Sequence, residues 1–117
     1  MRLDKLTIKA QEAIQAAHEL AGTRGHQELT PEHVLYALLD QQDGVSAALL
    51  RKLGTDPAIV REAVARALDA QPQVRGSTAD IYVGRRLGDL LEDATRQSKE
   101  FKDEYVSSEH ILLALAG

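Results

Sequence analysis

Apolar residues recur along this chain at intervals of three and four, a spacing that predicts helices over most of its length. Leu3, Leu6, Ala10, Ile14, Ala17 and Ala21 fall on one face of a first helix running from about Asp4 or Thr7 to Ala21, with Gly22 and Gly25 expected to stop it. A turn over Gly22 to Glu28 leads to a second helix, from Thr30 to near Gln42, whose face is Val34, Leu35, Leu38 and Leu39. Val45, Leu49, Leu50 and Leu53 mark a third helix, with Gly54 placed as its C-terminal cap. Asp56-Pro57 then pairs a capping acid with proline at the first helical position. That pair opens a fourth helix reaching Ala70, with Ile59, Val60, Ala63, Val64, Ala67 and Leu68 expected inside. Gln71 to Tyr82 has no helical period and reads as a surface loop. A fifth helix, Arg85 to Lys99, turns Leu87, Leu90, Leu91, Ala94 and Ser98 inward. After a turn over Lys102 to Val106, a sixth begins at Ser107 with Ile111, Leu112 and Leu115 on its face.

The pattern is written twice. Thr30-Pro31-Glu32-His33-Val34-Leu35-Tyr36-Ala37-Leu38 returns as Ser107-Ser108-Glu109-His110-Ile111-Leu112-Leu113-Ala114-Leu115, an offset of 107 − 30 = 77. The same shift pairs Leu6 with Val83, Ala10 with Leu87, Ile14 with Leu91 and Ala17 with Ala94, without a gap. Two helical hairpins with matching apolar faces bury those faces most economically against one another, about a pseudo-twofold axis. The expected fold is therefore all-α, a double repeat of helical hairpins. Residues 1–70 form the first repeat of four helices, 71–82 the connecting loop, and 83–117 a second repeat that is apparently truncated. By symmetry a full second copy reaches residue 147 or so, and missing helices leave apolar surface to be covered.

Composition narrows the function classes. At 117 residues, 44% hydrophobic and 27% charged, the chain suits one globular domain. Aromatic residues are only 3% and the formal charge is −4, so neither base stacking nor a basic stripe supports a nucleic-acid partner. Cysteine is absent, which removes disulfides, thiolate nucleophiles and thiolate metal sites. The opening Met1-Arg2-Leu3-Asp4-Lys5-Leu6 is too mixed in charge for a signal peptide or a membrane span, and a cytoplasmic location is the expectation.

Each motif copy reads as a helix start. Thr30 and Ser107 supply capping hydroxyls, and Glu32 and Glu109 place negative charge on the positive end of the helix. Both acids stand one position short of a strict capping box. They can also serve as a paired recognition site for basic groups of a client. His33 and His110 lack the His-Glu-x-x-His spacing of a zinc site and read as helix-end histidines; no metal is expected. No serine has a plausible histidine and acid partner, and no Gly-x-x-x-x-Gly-Lys-Ser/Thr phosphate loop occurs, so no enzyme activity is expected. A symmetric fold leaves a shallow groove where its halves meet, expected near Ala13, Leu91 and His110.

With the doubled Ser/Thr-x-Glu-His-hydrophobic motif laid over six helices, the whole chain resembles the N-terminal double-repeat domain of the Clp family of AAA+ unfoldases. Met1 to Thr7, the Leu68 to Gly76 stretch and Lys102-Asp103-Glu104-Tyr105-Val106-Ser107-Ser108-Glu109 look most like the ClpB disaggregase branch. Gly25-His26 through Glu32-His33 also resembles the ClpC and ClpA branches. The resemblance implies a module that captures unfolded or aggregated polypeptide for threading by an ATP-driven ring, or alternatively one that docks adaptors or modified-residue tags. It places the substrate surface on Thr7, Asp103 and Glu109, while the serine that relatives often carry is here Gly84. It further implies that ATP and Mg belong to the rest of the full-length protein, a homohexamer cooperating with a DnaK-type system.

Overall fold

The computed structural model describes residues 3–41, 44–73 and 81–116. A short 3-10 turn, Leu3–Lys5, leads into α1 (Ile8–Arg24), which Thr7 caps by accepting a hydrogen bond from the Ala10 N–H at 3.3 Å. Ala10, Ala13, Ala17 and Ala21 lie wholly inside, and Ile14 packs at their edge. A face built of alanine lets neighbouring helices approach closely.

Gly22 does not end α1 as expected; the helix passes through it and stops at Gly25, whose φ is 74°. The Gly25 N–H returns to the Ala21 and Gly22 carbonyls, and the His26 N–H adds a 2.8 Å bond to Ala21. Those bonds and the burial of Ala21 outweigh an internal glycine, which costs about 1 kcal/mol. The second half repeats the geometry 77 residues later. Lys102 takes the left-handed conformation at φ 59°, and the Asp103 N–H bonds to the Ser98 carbonyl at 2.8 Å.

After β1 (Glu28–Leu29) comes α2 (Pro31–Asp40), packed antiparallel on α1. It ends at Asp40, so the expected terminus near Gln42 falls outside the described residues. Then follow α3 (Ser46–Lys52) and α4 (Pro57–Ala70). The Gly54 N–H bonds to the Arg51 carbonyl and the Thr55 N–H to Leu50, closing α3 as a glycine cap should. Asp56 accepts from the Ala58 N–H at 2.9 Å and starts α4. The inward faces expected here are largely open: α4 buries only Val64 and Leu68, while Ile59 and Leu53 are each about two-thirds exposed. Both helices lie on α2, and only one edge of each is covered.

β2 (Tyr82–Val83) precedes α5 (Arg85–Glu100) and α6 (Ser108–Ala116), the second antiparallel hairpin. Residues 74–80 of the expected loop fall outside the described residues, and its last residue, Tyr82, is strand. All five residues expected inside α5 are buried.

Short parallel pairings join the halves and establish the symmetry. Leu29 pairs with Val83, and its 77-residue image, Val106, pairs with Leu6. The hydrogen bonds repeat as well: Gly84 N–H to the Leu29 carbonyl at 3.0 Å, Thr7 N–H to the Val106 carbonyl at 2.9 Å. Each residue entering the first helix of one hairpin is thus pinned to the residue entering the second helix of the other. Of these paired residues Glu28, Tyr82 and Val106 fall in segments that the sequence marks as turn or loop and Leu6 on the expected face of the first helix, because two-residue strands carry no readable period. The core between the hairpins is one cluster, from Leu6 through Leu38, Leu87 and Ile111.

Candidate functional site

The second helix of each hairpin, α2 and α6, starts with a capping box closed by histidine. The Thr30 N–H donates to His33 Nδ1 at 3.0 Å, and the Ser107 N–H donates to His110 Nδ1 at 2.9 Å. The hydroxyls of Thr30 and Ser107 lie 2.8 and 3.0 Å from the same nitrogens. An imidazole at the third helical position does what glutamate does in the usual box. The expectation that neither copy forms one looked for an acid and missed the ring.

With Nδ1 accepting, each imidazole carries its proton on Nε2 and donates it seven residues back. His33 donates to His26 Nδ1 at 2.8 Å; His110 donates to Asp103 Oδ2 at 2.9 Å. Since 26 + 77 = 103, an imidazole in the first repeat stands where a carboxylate stands in the second. His26 and His33 are both buried. Burial foremost, then its histidine neighbour, lowers the pKa of His33 to about 4 against the pull of Glu32. Burial and the Arg24 charge also lower that of His26.

The residues singled out from the sequence divide into two groups. Ala13 and Leu91 do not line an open groove; their side chains belong to the core, because the helix faces carrying them meet each other at the centre of the fold. His110 is likewise buried, with the Phe101 ring stacked on it at 6.3 Å. Thr7 is half-buried at the start of α1, and Glu32 is held by the Arg86 guanidinium at 2.6 Å. Burial opposes ionisation of Glu32, but Arg86 outweighs it and keeps the carboxyl below its ordinary range. Asp103 and Glu109 are exposed, the first tied to His110 and the second without an ion pair among the described residues.

The Leu6–Val106 bridge brings the start of α1 to the α5–α6 turn, since Thr7 follows Leu6 and Tyr105 precedes Val106, whereas Glu32, paired with Arg86 at the start of α5, lies at the other seam. In these two joined segments Ile8 is 76% exposed, Phe101, which stacks on His110, 63% and Tyr105 47%. The sequence reading missed all three apolar residues. Ile8 lies off the inward stripe of α1, and two of the chain's four aromatic side chains in one turn was a usable signal. Elsewhere, an open cavity of about 480 Å³ runs between α1 and α2 past Glu12, Glu19, Tyr36 and Asp40. An apolar one of about 400 Å³ lies among Leu35, Leu50, Leu53, Val60, Leu112 and Leu113. Among the described residues, no cluster of three potential metal ligands exists, and no helix is long and apolar enough to cross a membrane.

The profile of the Clp repeat (R) N-terminal domain matches residues 5–117. The chain belongs to this family. This Clp repeat domain is similar to the chaperone protein ClpB of Mycobacterium bovis, 41% identical over 110 residues, which are 94% of the chain and 13% of that protein. It is 36% identical to ClpB of Bacillus anthracis across 97% of the chain and 14% of that protein. It thus spans about one-seventh of these relatives, and corresponds to the non-catalytic N-domain of Clp/Hsp100 chaperones. Among solved structures, the N-terminal domain of the ClpV1 ATPase from the E. coli EAEC Sci1 T6SS superposes with a TM-score of 0.86 at 32% identity, over 97% of this chain and 68% of that one. The Hsp104 N-terminal domain from Candida albicans gives 0.85 at 29%, over 95% and 73%. A ClpV N-domain in complex with a VipB peptide gives 0.77 at 27%, over 96% and 68%.

Proposed function

We propose that this domain captures unfolded or aggregated polypeptide for a ClpB-type disaggregase, through the surface gathered by the Leu6–Val106 bridge. The coarser role, a non-catalytic protein-docking module of a Clp/Hsp100 chaperone, follows from family membership. One observation supports the finer reading: the Leu6–Val106 bridge joins the segment with exposed Ile8 and half-buried Thr7 to the turn with exposed Phe101, Asp103 and Tyr105 that leads to Glu109. Unfolded chains offer apolar side chains at irregular spacing together with scattered positive charge, and a small apolar patch rimmed by acids suits both. Each apolar side chain buried there contributes about 1.5 to 3 kcal/mol before ordering costs, so one short segment binds weakly. Several copies on a ring add avidity, which fits the homohexamer and the DnaK-type cooperation that the ClpB likeness suggests. ATP and Mg then act in the remainder of that protein, and the setting is the cytoplasm.

A second reading is docking of a folded adaptor or a modified-residue tag. It is supported by the solved ClpV N-domain with its VipB peptide, but the paired-glutamate version is weakened because Arg86 already occupies Glu32. Titration with a labelled, permanently unfolded protein and with a folded adaptor separates the two. Saturable binding of the unfolded chain, weakened by Tyr105→Ser, supports capture; binding of the folded partner alone sinks it.

A further inference from the structure

The hydrogen-bond chain Thr30–His33–His26 has no counterpart with the same chemistry in the second repeat, where Asp103 replaces His26. The first chain admits one arrangement of protons. His33 Nδ1 must be bare to accept the Thr30 N–H, His33 Nε2 carries a proton toward His26 Nδ1, and His26 Nδ1 must be bare to receive it. A proton added to His33 at Nδ1 ends its acceptance of the Thr30 N–H and leaves only the Thr30 hydroxyl oxygen, at 2.8 Å, to receive it. A proton added to His26 at Nδ1 faces the one already on His33. His26 Nε2 is buried without a hydrogen-bond partner, so charge on that ring gains no contact; the Leu68 carbonyl favours a proton there without completing a bond.

The chain ties four elements together. His26 caps the end of α1, its neighbours Glu28–Leu29 form β1, Thr30 and His33 start α2, and α4 lends the Leu68 carbonyl. The charges facing it are mixed. Arg24 on α1 disfavours a further positive charge and is itself paired with Asp69 of α4 at 2.5 Å. Glu32 on α2 favours one but is held by Arg86 of α5, and Glu28 folds its side chain over Gly84 at the start of α5. Among the described residues no carboxylate is hydrogen-bonded to either ring, whereas His110 donates directly to one that is open to solvent.

We infer that Thr30–His33–His26 is an acid-sensitive latch confined to the first repeat. Below neutral pH it releases the start of α2 and, through β1, loosens the Leu29–Val83 side of the junction, while the Leu6–Val106 side, which carries the proposed capture surface, stays shut. Mild acid therefore opens the two pseudo-equivalent seams unequally.

Residue-resolved amide exchange, corrected for the intrinsic pH dependence, tests this on the unmodified chain, with Thr7, whose N–H donates to the Val106 carbonyl across the other seam, as internal control for Thr30. A ring that titrates near 6.5 when released and near 4 when latched lowers the Thr30 protection factor about twentyfold between pH 7 and pH 5. Tyr82, which donates to the Gln27 carbonyl across the same seam as Thr30, follows it, and Thr7 changes less than about twofold. Equal loss at Thr30 and Thr7, or no loss at Thr30, overturns the inference. His33→Gln supplies a non-titrating acceptor at the same position and should flatten the Thr30 response; a twentyfold loss surviving in that variant overturns it too. If the variant does not fold, the comparison of Thr30 with Thr7 in the unmodified chain decides alone.

Discussion

The Arg86 guanidinium donates to the Glu32 carboxylate at 2.6 Å, so a side chain of the second repeat neutralises an acid of the first. The symmetric pair is not made. Lys9, which stands 77 residues before Arg86, lies 3.7 Å from Glu12, and Glu109 has no ion pair among the described residues. Two acids equivalent in sequence are thereby made unequal. Arg86→Ala should raise the Glu32 carboxyl toward its ordinary range, read by NMR titration. Arg86 is two-thirds exposed and Glu32 about a quarter, so solvent screens the pair and stability should change by about 1 kcal/mol or less.

Glu109→Ala and Tyr105→Ser remove exposed groups from the proposed capture surface. Each should weaken binding of an unfolded protein several-fold with the thermal midpoint nearly unchanged. Leu91→Ser is a poor test of that surface. Leu91 is core, and exchanging its side chain for a hydroxyl should cost about 2 to 4 kcal/mol, so any lost binding would report unfolding. Circular dichroism melts distinguish the cases.

Lys102 holds a left-handed conformation where the first repeat has Gly25. Lys102→Gly should relieve that strain, offset in part by the freer unfolded chain, for a net gain of about 0.5 to 1 kcal/mol in urea unfolding. An unchanged or lower midpoint would mean that the lysine side chain contributes contacts that outweigh its backbone.

Acid should destabilise the whole domain. His33 is depressed from 6.5 to about 4 on folding, so between those values the unfolded chain binds more protons and stability rises with pH. Its contribution is complete above about 6.5 and lost by about 4, a change of up to about 3 kcal/mol. Glu32, also depressed, adds a loss of the same sign at lower pH. Urea midpoints that do not fall between pH 7 and pH 4.5 would contradict the His33 contribution.

Thr7→Ala removes the hydroxyl that accepts the Ala10 N–H and should cost about 1 kcal/mol. Gly84, its image, has no cap side chain, and a Cβ there would overlap the Glu28 side chain. Gly84→Ser therefore gains a cap only if Glu28 swings aside, and its net effect should stay within about 0.5 kcal/mol of zero in thermal melts.

Periodicity and the 77-residue echo were sufficient for the helices, their order and the pairing of two hairpins, because helical period and capping chemistry are local properties repeated in the text. The buried set of α5 was legible residue by residue, whereas that of α4 was not: a broad apolar stripe says that a face is available, and only the neighbours say how much is used. Likewise Thr7, Asp103 and Glu109 came from a family likeness, and the exposure of Ile8, Phe101 and Tyr105 in segments joined by the Leu6–Val106 bridge was decided by the fold.

The sequence by itself determined a duplicated all-helical body, since spacing and caps are written along one dimension. Only the tertiary structure decided that the copies differ in use. Whether Glu32 meets Arg86, or His33 meets a second imidazole while His110 meets a carboxylate, depends on distances across the fold that short-range pattern does not encode.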